Sequence, residues 1–292
     1  MKVLNFGSLN YDYVYEVDHA VMPGETIDSA KMEVFCGGKG LNQSIALARA
    51  GVPVYHAGQV GGDGQMFLDI CAQSKVDTTY IRQSPGKSGH TIIQLDKNGQ
   101  NCILLYGGSN RGITKDLVDE VLGHFEKEDI ILLQNEINQI GYIIDRASEK
   151  GMQIVLNPSP YNANLDDCDL SKVSVFLLNE IEGEQISGER EPEKMLEKMM
   201  EKYPEARIVL TLGSAGSVYR DKNQTYMQGI FEADVVDTTA AGDTFTGYFI
   251  ASMLRKMPVQ EAMGLCAKAS AIAVSRKGAT DSIPCLEEVL NI

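Results

Sequence analysis

The chain has 292 residues, 43% of them hydrophobic and 23% charged, an ordinary balance for a globular protein with room for a substantial core. Its formal net charge of −14 argues against nucleic acid or an anionic membrane surface as the main partner. A bound anion would therefore need positive charge concentrated locally, beside individual Lys or Arg residues. From the start, short β-branched runs alternate with helical patterns. Strands are predicted at Val3–Gly7, Val54–Gly58, Ile130–Leu133, Gln153–Leu156, Val175–Leu178 and Arg207–Leu212. Helical spacing falls at Asn42–Ala50, Gln65–Gln73, Lys115–Leu122, Gln139–Lys150, Glu193–Lys202 and Gln260–Ser275. The alternation, with near-continuous apolar strands, predicts an α/β fold: a mostly parallel sheet covered by helices on both faces.

Two segments break this rhythm. Residues 11–35 alternate around a Met22-Pro-Gly-Glu25 turn, and two further runs, Thr91–Asp96 and Cys102–Tyr106, flank the Asn-Gly turn of Lys97–Gln100. Both read as antiparallel strands of a small second sheet, which would lean on the main body as a lid or pair with a second copy. The six cysteines (Cys36, Cys71, Cys102, Cys168, Cys266, Cys285) form no C-x-x-C pair, and the four histidines lack metal-ligand spacing. The chain opens on a strand-like run with no signal peptide, and no apolar run approaches the ~20 residues of a membrane span. Free thiols in a reducing cytoplasm are expected.

The chemistry concentrates at a few loops. Asp237-Thr-Thr-Ala-Ala-Gly-Asp243 joins a strand-like apolar run (Ala233, Val235, Val236) to the helical pattern Phe245, Phe249, Met253. Ala240, Ala241 and Gly242 thus sit where a helix begins, and its unpaired N–H groups can receive an anion at close range. Asp243 beside such a hole either caps the helix or takes a proton from an attacking hydroxyl in phosphoryl transfer. Gly37-Gly-Lys-Gly40, followed by Asn42, is a flexible loop or a ligand site with Lys39 as its cation. Neither G-x-x-x-x-G-K-[ST] nor G-x-G-x-x-G occurs. Asn10 and Asp12 follow the first strand, as an Asx turn or as a grip on neighbouring hydroxyls. Glu136, Asn179 with Glu182, and the loop Thr211–Gly216 follow later strands, the loop reading equally as a plain hairpin connection into Ser217–Arg220. Five polar or glycine-rich groups at one end of one sheet mark a ligand site.

From Val3 to about Pro284 the sequence resembles the ribokinase-type sugar kinases of the phosphofructokinase-B family. The segments GGKGxN and DTTAAGD carry the resemblance most specifically. GSLNYD, NPSP (Asn157 to Pro160), NEIE (Asn179 to Glu182), TLGSAG and SRKGA (Ser275 to Ala279) appear in the family's order. The resemblance implies a three-layer sandwich, a single unit over residues 1–292, with a lid formed by 10–39 and 88–107. It implies ATP-dependent phosphorylation of a sugar, with Asp243 as general base and Ala240, Ala241 and Gly242 as the anion hole. Asn10, Asp12, Gly38, Lys39, Asn42 and Glu136 resemble the sugar-binding set. Asn179, Thr211, Gly213, Ser214 and Gly216 resemble nucleotide contacts, and Glu182 the residue that places Mg²⁺ through water. Asp237, Thr239, Ala273, Arg276, Gly278 and Ser282 fall where the family holds a monovalent cation, K⁺ by expectation, largely through backbone carbonyls. A homodimer through the lid sheets is implied by the same analogy.

Ribose is the implied substrate, because GSxNxD and GGKGxN together with Glu136 fit that branch. Another small sugar, a nucleoside, or a catalytically silent sugar-binding regulator are the alternatives. Three positions depart from the pattern. His90 and Thr91 stand in a lid strand where small or apolar residues are usual near the sugar. Tyr248 replaces a small residue in the helix after Asp243, and Ala267 stands where many members carry His or Asn close to adenine.

Overall fold

A computed structural model describes residues 1–291. In chain order, β1 (Val3–Phe6), β2 (Asn10–Val17) and β3 (Lys31–Gly37) lead into α1 (Lys39–Arg49) and β4 (Val54–Val60). Then come α2 (Gln65–Gln73), β5 (Asp77–Gln83), β6 (Gly89–Asp96), β7 (Asn101–Tyr106) and α3 (Lys115–Leu122). The middle of the chain supplies β8 (Ile130–Gln134), α4 (Ile140–Glu149), β9 (Gln153–Asn157), β10 (Val175–Asn179) and α5 (Glu180–Ser187). The last part holds α6 (Pro192–Lys202), β11 (Arg207–Thr211), β12 (Ser217–Arg220), β13 (Thr225–Gln228), α7 (Ala241–Leu254), α8 (Val259–Val274) and α9 (Leu286–Leu290).

Nine strands form the main sheet in the order β13-β12-β11-β10-β9-β8-β1-β4-β5. All its pairings are parallel except β11–β12 and β12–β13. The chain builds outward from β1 in one direction through β4 and β5, then returns to β1's other side through β8. The carboxyl ends of β1 and β8 therefore flank a topological switch point, where open α/β sheets bind ligands.

Strand residues alternate between the two faces, so the sheet separates two cores. Val3, Ile130, Leu132 and Val155 pack with α1, α2 and α7 to α9, while Leu4, Phe6, Ile131 and Leu133 pack with α3 to α6. Tyr248, a departure at the sequence level, is fully buried here and its hydroxyl donates to the Pro284 carbonyl at 3.0 Å. It is a packing residue.

The second sheet has the order β3-β2-β6-β7. Both expected antiparallel pairs are present, β2–β3 and β6–β7, and a parallel β2–β6 seam joins them. The strand-like run before Asp237 is not a strand. Val235 and Val236 are exposed, no strand among the described residues pairs with them, and the N–H groups of Val236 and Asp237 donate to the Val274 carbonyl at the end of α8. The strand β5 and the edge strand β13 have weak apolar patterns and went unread. Among the described residues, no helix is long and apolar enough to cross a membrane. All six cysteines are free.

Candidate active site

A cleft of about 1100 Å³ lies between the carboxyl ends of the parallel strands and the inner face of the small sheet. Its floor is set by two glycine loops in contact. A Cβ on Gly40 would lie 2.2 Å from the Ser8 nitrogen, and one on Gly7 would lie 2.6 Å from the Gly40 Cα. Only glycine permits this approach, which brings the end of β1 and the start of α1 together. The Leu41 N–H then donates to the Ser8 carbonyl at 3.0 Å.

Across the switch point, the partly buried Glu136 gathers donors from both loops. Its Oε2 accepts from Ser8 Oγ at 2.5 Å and from the Lys39 backbone N–H at 2.9 Å. Burial still pushes the Glu136 carboxyl above its ordinary range, against the pull of Lys39 and those donors. Burial alone would lower Lys39, but the carboxylates of Asp243, Glu136 and Glu182 outweigh it and hold the ammonium above its usual value.

The small sheet contributes the facing side. Asn10 is buried, with its Oδ1 accepting from Asn110 Nδ2 at 2.8 Å. Asp12 Oδ1 accepts from Thr91 Oγ1 at 2.5 Å, so one departure from the family pattern touches a candidate sugar ligand directly. Burial pushes the Asp12 carboxyl up to about 6; the Thr91 hydroxyl opposes the rise and Glu136 adds to it. Gly37 has no side chain for good reason, since a Cβ there would lie 2.1 Å from Asp12 Oδ2.

Asp243 stands in the first turn of α7 and is 7% exposed. Ala240 precedes that helix in the left-handed region (φ 61) and no side chain caps it. A Cβ on Gly242 would meet nothing within 4 Å, so the space before the helix N-terminus is open. Asp243 is held from the other side by α1: Asn42 Nδ2 donates to its Oδ2 at 2.9 Å and Gln43 Nε2 to its Oδ1 at 2.8 Å. These reaches depend on a tight helix crossing, because a Cβ on Gly247 would lie 2.4 Å from the Ala46 Cβ. Asn42 Oδ1 is buried with no hydrogen-bond partner.

Further along, Asn179 caps α5. Its Oδ1 accepts from the Ile181 and Glu182 N–H groups, and Glu182 Oε2 accepts from the Asn179 N–H at 2.9 Å. Asn179, Glu182 and Thr211 line the cleft, whereas Gly213, Ser214 and Gly216 form an adjoining short turn that does not. Asp237 Oδ1 accepts from the Thr239 N–H and hydroxyl, and Oδ2 from the Gly278 N–H at 3.0 Å. Those donors help keep the Asp237 carboxyl low despite its partial burial. Of the candidate cation residues, Asp237, Thr239 and Gly278 line the cleft; Ala273, Arg276 and Ser282 do not. The Ala273 carbonyl accepts the Arg276 N–H, the Arg276 side chain turns to Glu288, and the Ser282 hydroxyl donates to the Ala279 carbonyl.

Sequence reading missed Ser8, Gln43, Asn110 and Gln134. A signal existed for Gln43: Asn42, Gln43 and Ser44 are three consecutive polar residues in a helix that is buried from Gly40 to Leu47. Asn110 and Gln134 carried no local pattern, because their partners are far away in sequence.

Strand ends of a parallel sheet opening on a polar cleft, beside an uncapped helix N-terminus with a buried carboxylate, define a three-layer α/β enzyme acting on a small molecule. Residues 1–286 match the family described as pfkB family carbohydrate kinase, and the chain belongs to that family. It is similar to the ribokinase of Haemophilus influenzae, 33% identical with 97% of this chain and 95% of the relative covered. The ribokinase of Thermotoga maritima superposes with a TM-score of 0.89 at 31% identity, covering 99% of this chain and 98% of that one. Arabidopsis thaliana ribokinase, solved in complex with ribose and ATP, gives a TM-score of 0.87 at 27% identity, with 99% and 97% covered.

Proposed function

We propose that this carbohydrate kinase transfers the γ-phosphoryl group of ATP to the 5-hydroxyl of D-ribose, giving D-ribose 5-phosphate and ADP. The observation that carries the reading is Asp243: a buried carboxylate, gripped by two side-chain amides, at the open N-terminus of α7. The sugar oxygen attacks Pγ as the bond to the β,γ-bridging oxygen breaks, and those electrons leave on ADP. The hydroxyl proton passes to Asp243, which typically contributes ~10²–10⁴-fold. Ala240, Ala241 and Gly242 supply backbone N–H groups for charge on the moving phosphoryl group, the Ala241 N–H by leaving the Thr238 carbonyl it meets at 3.3 Å, with Lys39 beside them.

The sugar site is assigned to Asn10, Asp12, Gly38, Lys39, Asn42 and Glu136. Asn42 Oδ1, buried and unpartnered, supports this by offering an acceptor to a sugar hydroxyl. The nucleotide is assigned to the side of Asn179, Thr211 and the 213–216 turn. Carboxylates outnumber cations along the cleft, with Asp12, Glu16, Glu33, Glu136, Glu182, Asp237 and Asp243 set against Lys39 and Lys277. Mg²⁺ bound with ATP would neutralise charge there, and Glu182 would help hold it through water. Asp237, Thr239 and Gly278 are the best-placed part of a K⁺ site behind the anion hole.

The 10–39 and 88–107 segments act in this reading as a lid on a single 1–292 unit, and as the seam of a homodimer. Ile103 and Leu105, which also line the cleft, are 54% and 44% exposed on edge strand β7, an apolar row for a second copy to cover. Six free thiols support a cytoplasmic setting. Thr91 on Asp12 is the observation that favours a second reading, a different small sugar such as deoxyribose. ADP release across ribose, deoxyribose, fructose, ketodeoxygluconate and adenosine separates them. Ribose is expected to give the highest kcat/KM; strong turnover of another compound with none of ribose would overturn the assignment.

A further inference from the structure

Behind Asp243, on the sheet face covered by α1, polar side chains stand where a buried parallel sheet would ordinarily be aliphatic. Asn5 on β1 is in register with His56 on β4 and Leu132 on β8, and Gln134 follows two residues later. Asn5, His56 and Gln134, with Gln43 and Ser44 of α1, are fully buried. In such a setting the hydrogen-bond partners decide which way each amide faces.

The Gly40 carbonyl can only accept, and it fixes the first member. Asn5 Nδ2 donates to it at 2.7 Å and to Ser44 Oγ at 2.8 Å. Asn5 Oδ1 is thereby turned toward Gln134, which must answer with its nitrogen. Gln134 Nε2 donates to Asn5 Oδ1 at 3.0 Å and to Gln43 Oε1 at 2.6 Å. Gln43 is left with its own nitrogen toward Asp243, 2.8 Å from Oδ1, and toward Asn157 Oδ1 at 3.3 Å. Gln134 satisfies both acceptors while its own buried Oε1 has no partner, which shows that its neighbours set its orientation. At the far end, Ser44 Oγ lies 2.8 Å from His56 Nδ1, and burial pushes His56 down to about 4, so that end is neutral. The charged groups facing Asp243 are those of the cleft, Lys39 and Glu136.

We propose that Gln43 is a positioning residue for Asp243, its amide locked donor-first by a relay running from the Gly40 carbonyl through Asn5 and Gln134. The proposal rests on Asp243 acting as the base. Gln43 and Asn42 each take one carboxylate oxygen, which fixes the carboxylate plane against the attacking hydroxyl. Without the Gln43 donor the carboxylate turns more freely, so the loss falls on kcat and not on binding of either substrate.

The test is kcat, and KM for sugar and for MgATP, in wild type, Gln43→Met, Gln43→Glu, Asn5→Leu and Asp243→Asn. Gln43→Met is expected to lose about tenfold or more in kcat, with both KM values within about threefold. Gln43→Glu keeps the shape, removes the donor and is expected to lose more in kcat than Gln43→Met. Asn5→Leu frees Gln134 to turn over and is expected to lose kcat in the same way, with KM little changed. A wild-type kcat in the Gln43 variants, a loss carried by KM, or failure of both Gln43 variants to fold would assign Gln43 to packing and overturn the proposal. Each of those results with an inactive Asp243→Asn sinks the positioning role alone. A fully active Asp243→Asn sinks the base assignment with it.

Discussion

Burial pushes the Asp12 carboxyl up to about 6, so about nine-tenths of these groups are ionised at pH 7 and about one-tenth at pH 5. A sugar hydroxyl donating to Asp12 needs the ionised form. Ribose should therefore bind about tenfold more weakly at pH 5 than at pH 7. Calorimetric titration of ribose without nucleotide, from pH 5 to pH 8, measures this directly. Asp12→Asn should bind weakly at every pH and lose the slope. Thr91→Val removes the hydroxyl that opposes the rise, so its affinity should begin to fall at a higher pH than in wild type. Glu136→Gln run in parallel separates the second buried carboxyl. The same shift bears on stability. Because the folded value lies above the ordinary 3.8, the contribution of Asp12 is fully present below that value and is lost as pH rises through about 6. Asp12→Asn should therefore stabilise the sugar-free protein at pH 8, by up to about 3 kcal/mol in urea unfolding. An affinity constant within twofold from pH 5 to 8, or a tenfold slope surviving in Asp12→Asn, would refute the reasoning.

Gly242→Val projects a side chain into open space before α7, so unfolding free energy should stay within about 1 kcal/mol while kcat falls at least about tenfold. Normal turnover in that variant would remove the anion hole from the account. Leu105→Glu places a charge on the apolar row of β7 and should leave a monomer by light scattering at micromolar concentration, where wild type is expected to be a dimer. A monomeric wild type would end the homodimer proposal.

The main sheet was legible because its strands are buried on both faces and read as unbroken apolar runs, as Ile130–Leu133 and Val175–Leu178 do. The strand-end polar groups were legible too, since topology gives them all one address. Val235 and Val236 misled because extended, β-branched sequence does not require a neighbouring strand; here the end of α8 accepts the backbone N–H groups instead. The parallel β2–β6 seam joins residues about eighty apart, which no local turn signal encodes. Asn5, Gln134 and His56 look unremarkable in strands, and only the register between β4, β1 and β8 turns them into a connected set behind Asp243.

The most direct measurement is the turnover of Asp243→Asn with saturating ribose and MgATP, with ribose affinity measured on the same sample. The account predicts ribose binding within a few fold of wild type and a kcat at least about a hundredfold lower, because the attacking hydroxyl has no group to receive its proton. A kcat within tenfold of wild type would contradict it.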